Sequence, residues 1–184
     1  YRPPHMYQSL NVRGTVYNLS DIFAELAREN RQDQFVVLRR DTSYAACWNA
    51  ICDILDNAID KQRRVVIPGF GSVYHRIFNL GICIPFFEID EKFVRVYQLH
   101  SNKKKLHQRG GGSKGAPIKI NRKIGSQYAG LDPTIFEIAY KRIFSKIGDA
   151  MQNGRNVDID FRVGNMICKN KKTEFNFLHR IESK

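Results

Sequence analysis

Four cysteines (Cys47, Cys52, Cys83, Cys168) and five histidines (His5, His75, His100, His107, His179) are the side chains best suited to hold a soft metal or attack an electrophile. Their spacing argues against both. No two cysteines form a C-x-x-C pair, the spacing that zinc ribbons and redox motifs use. Cys47 and Cys52 lie five apart on a stretch with helical periodicity, so they share a face poorly, and the histidines are scattered. No Ser-His-Asp or Cys-His order stands out, and the carboxylates fall mostly on solvated helix faces. Asp158 and Asp160 alternate with Val157, Ile159 and Phe161, which points them to the solvent side of a strand. The glycine-rich run Gly110–Gly115 is not a phosphate loop, because the lysine that G-x-x-x-x-G-K-[ST] requires would fall at Ala116. Gly69-Phe70-Gly71 lacks a third glycine at Tyr74 and so is no dinucleotide fingerprint. The expectation is a protein without catalytic residues, metal or cofactor.

Charge carries more information. The chain has 30 Lys and Arg against 18 Asp and Glu, a net +12 over 184 residues. Residues 1–91 are almost balanced, whereas 92–131 hold ten Lys or Arg and no acid. A block of that kind seeks an acidic polymer: nucleic acid, an acidic protein tail or an anionic surface. The residues expected to make the contact are Lys103, Lys104, Lys105, Arg109, Lys114, Lys119, Arg122 and Lys123. A solvated linker would have the same composition, and phosphate contacts would use the same charges. At 42% hydrophobic and 11% aromatic the chain can bury a core. No apolar run approaches the roughly 18 residues of a helical membrane span, so no membrane is expected as a partner. The cysteine usage suits a reducing compartment. Tyr1 in place of an initiator Met reads as a piece of a longer chain.

These residues must be positioned by helices and strands. Residues 1–17, with Pro3 and Pro4, read as an extended arm. Ser20 is the expected N-cap of a helix whose apolar face is Ile22, Phe23, Leu26 and Ala27. A longer helix opens at Asp41-Thr42-Ser43 and ends near Gln62, with Tyr44, Cys47, Trp48, Ile51 and Leu55 on one stripe. Trp48 reads as a core aromatic. Arg63–Arg76 then gives a β-rich run, a Pro68-Gly69-Phe70-Gly71 corner and a second run, with Ile82–Ile89 as a third. Lys92–Leu99 is a short helix or tail.

Beyond a Lys- and Gly-rich linker at 101–117, Ile118–Ile124 is an apolar-polar run. Asp132-Pro133 starts a helix that runs to about Gln152. Three short strands follow, at Val157–Phe161, Met166–Cys168 and Thr173–Leu178. Long helix, strand, corner, strand, strand thus occurs twice, roughly 95 residues apart. The expected organisation is an arm (1–17), a first domain (18–100), a basic linker (101–117) and a second domain (118–184).

The run Val66-Ile67-Pro68-Gly69-Phe70-Gly71-Ser72 resembles the helix-to-sheet corner of bacterial HU/IHF domains. The paired arrangement, Trp48–Leu99 followed by Val157–Leu178, is similar to the tandem HU-like domains of the eukaryotic coiled-coil domain-containing protein 81 family. The resemblance implies an α+β fold of two tandem HU/IHF-like domains, each with helices packed on a three-stranded antiparallel sheet. It also implies a non-enzymatic scaffold of the cytoplasmic microtubule cytoskeleton, in the cilium or flagellum axoneme, basal body or centrosome. Tubulin or other ciliary or centrosomal proteins would be its partners.

HU bends DNA with a long β-arm. Its counterpart here, IFNLGICIP between Arg76 and Phe86, is short and has no Lys or Arg, and Lys169–Lys172 in the second unit is only a turn. An HU-type architectural DNA-binding protein is therefore the alternative reading. Because HU domains bury their helices in a dimer, the two domains can also pair within the chain.

Overall fold

The computed structural model describes residues 16–32, 42–78, 81–100 and 112–178. The fold is mixed α+β. The first half runs α1 (Leu19–Gln32), α2 (Thr42–Asp60), β1 (Val65–Ile67), β2 (Gly71–Ile77), β3 (Cys83–Ile89) and α3 (Glu91–Val96). The second runs β4 (Ile118–Lys119), α4 (Arg122–Ala129), α5 (Pro133–Gln152), β5 (Val157–Asp160), β6 (Gly164–Lys169) and β7 (Lys172–Phe177). Two helices followed by three antiparallel strands therefore occur twice.

Local chemistry sets most boundaries. The cap of α1 is Asn18 rather than Ser20. Its Oδ1 accepts from the Ser20 amide at 2.8 Å, and its own amide donates to Asp21 Oδ2 at 2.9 Å. An asparagine meets this need as well as a serine does, and the reciprocal bond to Asp21 decides between them. Asp132 caps α5 through the Thr134 amide at 2.8 Å, with Pro133 at the first helical position. The run 118–124 divides: its first two residues are strand, and α4 begins at Arg122, capped by Asn121.

The sheets depart from the expected pair of three-stranded antiparallel sheets. One has the order β5-β6-β7, all antiparallel. The other has four strands, β3-β2-β1-β4, and β4 lies parallel to β1. Ile118 and Lys119, expected in the second domain, complete the first sheet, with Ile118 N donating to Arg64 O at 2.8 Å. The mirror arrangement holds at the other end. Tyr17, just before α1, forms a parallel bridge beside Val157 of β5, its N–H donating to Asn156 O at 2.8 Å and its carbonyl accepting from Asp158 N at 3.0 Å. Each unit's leading segment thus pairs with the first strand of the other unit's sheet.

The core is continuous across both units. α2 packs on α4 and α5, and α1 packs on α5. Phe70 is fully buried at the centre, with ring centroids 5.1 Å from Phe93, 4.7 Å from Phe144 and 5.9 Å from Phe161. The latter two rings belong to the second unit. Such clusters add specific ring-edge attraction to their area burial. Replacing Phe70→Ala should lower unfolding free energy by about 3–5 kcal/mol. Because the ring joins both units, urea unfolding should remain a single transition shifted to lower midpoint. A variant within about 1 kcal/mol of the parent would contradict this central position.

Candidate partner-binding surface

The structural corner Pro68-Gly69-Phe70-Gly71 is built from two kinds of glycine. Gly69 has φ +74°, a left-handed conformation, with open space where a Cβ would project. Gly71 is crowded: a Cβ there would lie 2.5 Å from the Glu88 carbonyl oxygen and 2.5 Å from the Phe87 ring. The second unit also holds the corner, since the Tyr140 hydroxyl donates to Pro68 O at 2.7 Å. Trp48 makes the reciprocal contact, its indole N–H donating to Asp160 O at 3.1 Å, the matching corner of the second unit. Trp48 is 4% exposed, a core aromatic with one polar tip satisfied.

Of the basic residues singled out in the sequence, Lys103, Lys104, Lys105 and Arg109 lie outside the described residues. Lys114, Lys119, Arg122 and Lys123 are all exposed. They sit on a docked segment, not on a free tether. Lys114 N donates to Gln62 O at 2.8 Å, and Ser113 Oγ accepts from the His75 amide at 2.9 Å. Gly112 is buried against β2, where a Cβ would come within 2.7 Å of the His75 carbonyl oxygen, so only glycine lets the backbones approach.

Two cations that sequence order does not group with the bridge join it through the parallel β1–β4 pairing. Arg63 donates to Ala116 O at 2.8 Å, and Arg64 is exposed beside it. Residues more than 50 positions apart carry no local signal of this neighbourhood. Arg122 and Lys123 add positive charge to the first turn of α4, the end where the helix dipole is already positive. The exposed cations of this surface are complementary to negative charge, with Glu137 close enough to Arg122 to feel it.

Among the described residues, no group of three or more His, Cys, Asp or Glu side chains comes together in a way that could hold a metal. Burial pushes the Cys47 and Cys52 thiols up to about 12 and Cys168 up to about 11, so all three stay protonated at neutral pH. Among the described residues, no helix is long and apolar enough to cross a membrane.

His75 of β2 is a buried imidazole. It is 2% exposed, and neither ring nitrogen has a hydrogen-bond partner. Burial lowers its pKa below the ordinary 6.5.

Against this geometry, residues 123–181 match the family model of the CCDC81 eukaryotic HU domain 2. The match begins inside α4 and runs past β7, so the second helix–sheet unit is of the HU-like class. It supports the CCDC81 type of HU domain for that unit and does not extend over residues 1–122. No curated protein matches the chain.

Two outcomes follow from this geometry. Gly69→Ala should cost about 1–2 kcal/mol for its left-handed backbone, and Gly71→Ala should cost more, because a carbonyl oxygen and a ring block the new methyl. Urea midpoints of the two variants would rank them, and the reverse order would refute the crowding. For His75, the unfolded chain binds a proton more readily than the native one. Stability is therefore complete above about pH 6.5 and falls as pH drops below that value. Denaturation at pH 7.5 and 5.0 should show a smaller acid loss in His75→Leu than in the parent, and an equal loss would exclude His75 as a contributor.

Proposed function

We propose that the chain is a pair of HU-like units of the CCDC81 type, serving as a non-enzymatic scaffold that docks on acidic protein surfaces of the microtubule cytoskeleton. The observation that carries this reading is the exposed cationic surface of Arg64, Lys114, Lys119, Arg122 and Lys123, fixed on a folded edge. Tubulin is acidic, and a rigid cationic edge loses little conformational freedom when it settles on such a lattice. The cilium or flagellum axoneme, basal body or centrosome is the setting that this reading implies, within the cytoplasm. The match of the second unit to an HU family not known for enzymes agrees with a binding role.

Duplex DNA is the alternative acidic partner, as for an HU-type architectural protein. The hairpin β2–β3 speaks against DNA bending. Phe78 N donates to Ile82 O at 2.8 Å, closing the hairpin soon after the strands end, with no cation between Arg76 and Phe87. The β6–β7 connection is a two-residue turn at Asn170-Lys171, both with positive φ. The first hairpin lacks the charge of a DNA-embracing arm, and the second, although its end carries Lys169, Lys171 and Lys172, lacks the length.

Co-sedimentation with taxol-stabilised microtubules, with duplex DNA as competitor across a salt series, tests the proposal. Pelleting should survive excess DNA and weaken when Lys114, Lys119 and Arg122 are changed to Glu. Pelleting abolished by DNA, together with DNA bending in a parallel assay, would replace the scaffold with the HU-type reading.

A further inference from the structure

The two faces of the first sheet differ in chemistry. Val73 and Phe87 turn toward the shared core, Val73 fully buried and Phe87 stacked on Phe175 at 4.9 Å. Strand alternation sends Tyr74, Arg76, Ile84 and Phe86 to the other face. The register sets Tyr74 opposite Phe86 and Arg76 opposite Ile84, so the four side chains sit together. The Tyr74 and Phe86 rings stack with centroids 6.0 Å apart, and both are half-buried. Ile84 beside them is 40% exposed. None of these three belongs to the hydrophobic core.

Arg76 orders this group from within. Its guanidinium lies 5.3 Å from the Tyr74 ring centroid and 4.9 Å from that of Phe86, and it donates to the Tyr74 hydroxyl at 3.1 Å. The side chain is itself buried, so its charge serves the rings and is not presented at the surface. The second unit has nothing similar. Gly71 and Gly164 open the corresponding strands, and counting on from them puts Ile167 and Glu174 where the first unit has Tyr74 and Phe86. The architecture therefore does not require rings at this place. A partly exposed aromatic and aliphatic group that the fold does not need marks an interaction site.

The same face carries positive charge on its other side. Val66 pairs with Ser72 and with Lys119, which places Lys119 on this face. Val65 pairs with Val73, so Arg64 comes level with Tyr74. Arg64 and Lys119 are both exposed. Residues 61–87 and 112–131 contain no Asp or Glu, and Glu88, opposite Ser72, stands at the β3 margin. Standard strand spacings put Arg64 about 5 Å and Lys119 about 12 Å from Tyr74. An extended chain crossing the strands covers that range within about four residues.

These features choose among occupants. Two copies of this face would bring like charges together, which disfavours self-association. Ile84 and Val66 are aliphatic, and Arg76 already lies against both rings, so the face suits an apolar side chain better than stacked bases. The group is also smaller than the roughly 800 Å² per partner of a standard interface, which suits a segment. We propose that the outer face of the first sheet holds an extended acidic segment of a partner protein, with one apolar side chain seated against Tyr74, Ile84 and Phe86 and carboxylates on Arg64 and Lys119. The inference rests on the scaffold reading above and specifies what its partner must present.

Fluorescence anisotropy of a labelled peptide, a run of glutamates ending in phenylalanine, titrated with the whole chain tests this. Binding should fall about tenfold when alanine replaces the phenylalanine or glutamines replace the glutamates. It should fall by about the same factor in Ile84→Ser and in Arg64→Glu/Lys119→Glu. Thermal unfolding of both variants should stay close to that of the parent, because all three positions are exposed. Absence of binding would overturn the proposal, as would binding indifferent to the phenylalanine or to Ile84. A single-stranded oligonucleotide that binds more tightly than the peptide, and loses affinity in Ile84→Ser, would assign the face to nucleic acid and refute it. Microtubule pelleting separates the two readings. Peptide binding with these dependences but no pelleting sinks the tubulin reading alone, and pelleting without peptide binding sinks this inference alone.

Discussion

Two hydrogen bonds and two rings hold the molecule in one piece. Trp48 on α2 donates to Asp160 O, and Tyr140 on α5 donates to Pro68 O. Each accepting carbonyl follows an isoleucine, Ile159 or Ile67, at the turn between the first and second strands of its sheet. Each donor comes from the long helix of the opposite unit. A partly buried carbonyl without a donor costs roughly 1–3 kcal/mol, so each corner is complete only when the other unit is present. Between them Phe70 and Phe161 face each other with an interplanar angle of 21°. The aromatic core thus lies on the approximate symmetry axis relating the two units, and both helical layers close over it.

The exchanged leading segments follow from the same constraint. Once the helices of both units share a core, the chain entering each helix pair passes the first strand of the opposite sheet. It pairs there: Tyr17 on β5, Ile118 and Lys119 on β1. The described residues on either side of 101–111 are held by contacts with the two units. His100 N donates to Lys171 O at the β6–β7 turn of the second unit, and Gly112 and Ser113 pack on β2 of the first.

Much of the element order is legible in the sequence because the hydrophobic period is strong there. The stripe of α2 from Tyr44 to Leu55, the Asp132-Pro133 start of α5 and the alternation of Val157, Ile159 and Phe161 all fall where local spacing puts them. What was not legible is relational. Nothing local marks a two-residue strand such as Ile118-Lys119, because its identity comes from β1, over 50 residues away. The short α4, RKIGSQYA, holds a glycine that weakens helix propensity. That residue is Gly125, where a Cβ would collide with the Phe136 ring at 2.0 Å. Tertiary packing selects the glycine and overrides the local preference. Composition likewise reads Gly110–Gly115 as tether, yet Gly112 is there for close backbone contact. The corner Pro68–Gly71 is visible as a turn, but its role as a contact for the other unit is not. The cationic surface is half legible: Lys114 to Lys123 form one run, whereas Arg63 and Arg64 join it only through the fold.

Where two units share one architecture, their differences are more informative than their likeness. Both must bury a helix pair, close a three-stranded ladder and present a corner, and these needs account for Phe70 and Phe161, Trp48 and Tyr140. The hairpin ends are under no such need. In the second unit the end is Lys169-Asn170-Lys171-Lys172, a polar turn whose central residues adopt positive φ. In the first it is bounded by Ile77, Phe78, Ile82 and Ile84, all exposed. Stability gives only partial reason for large apolar side chains there, because isoleucines and a phenylalanine 40–59% exposed bury only part of their area and invite aggregation. Their presence on one unit and absence from its structural twin cannot be a requirement of the architecture. The two units thus share their packing and differ in the surface chemistry of the residues that flank their hairpin ends.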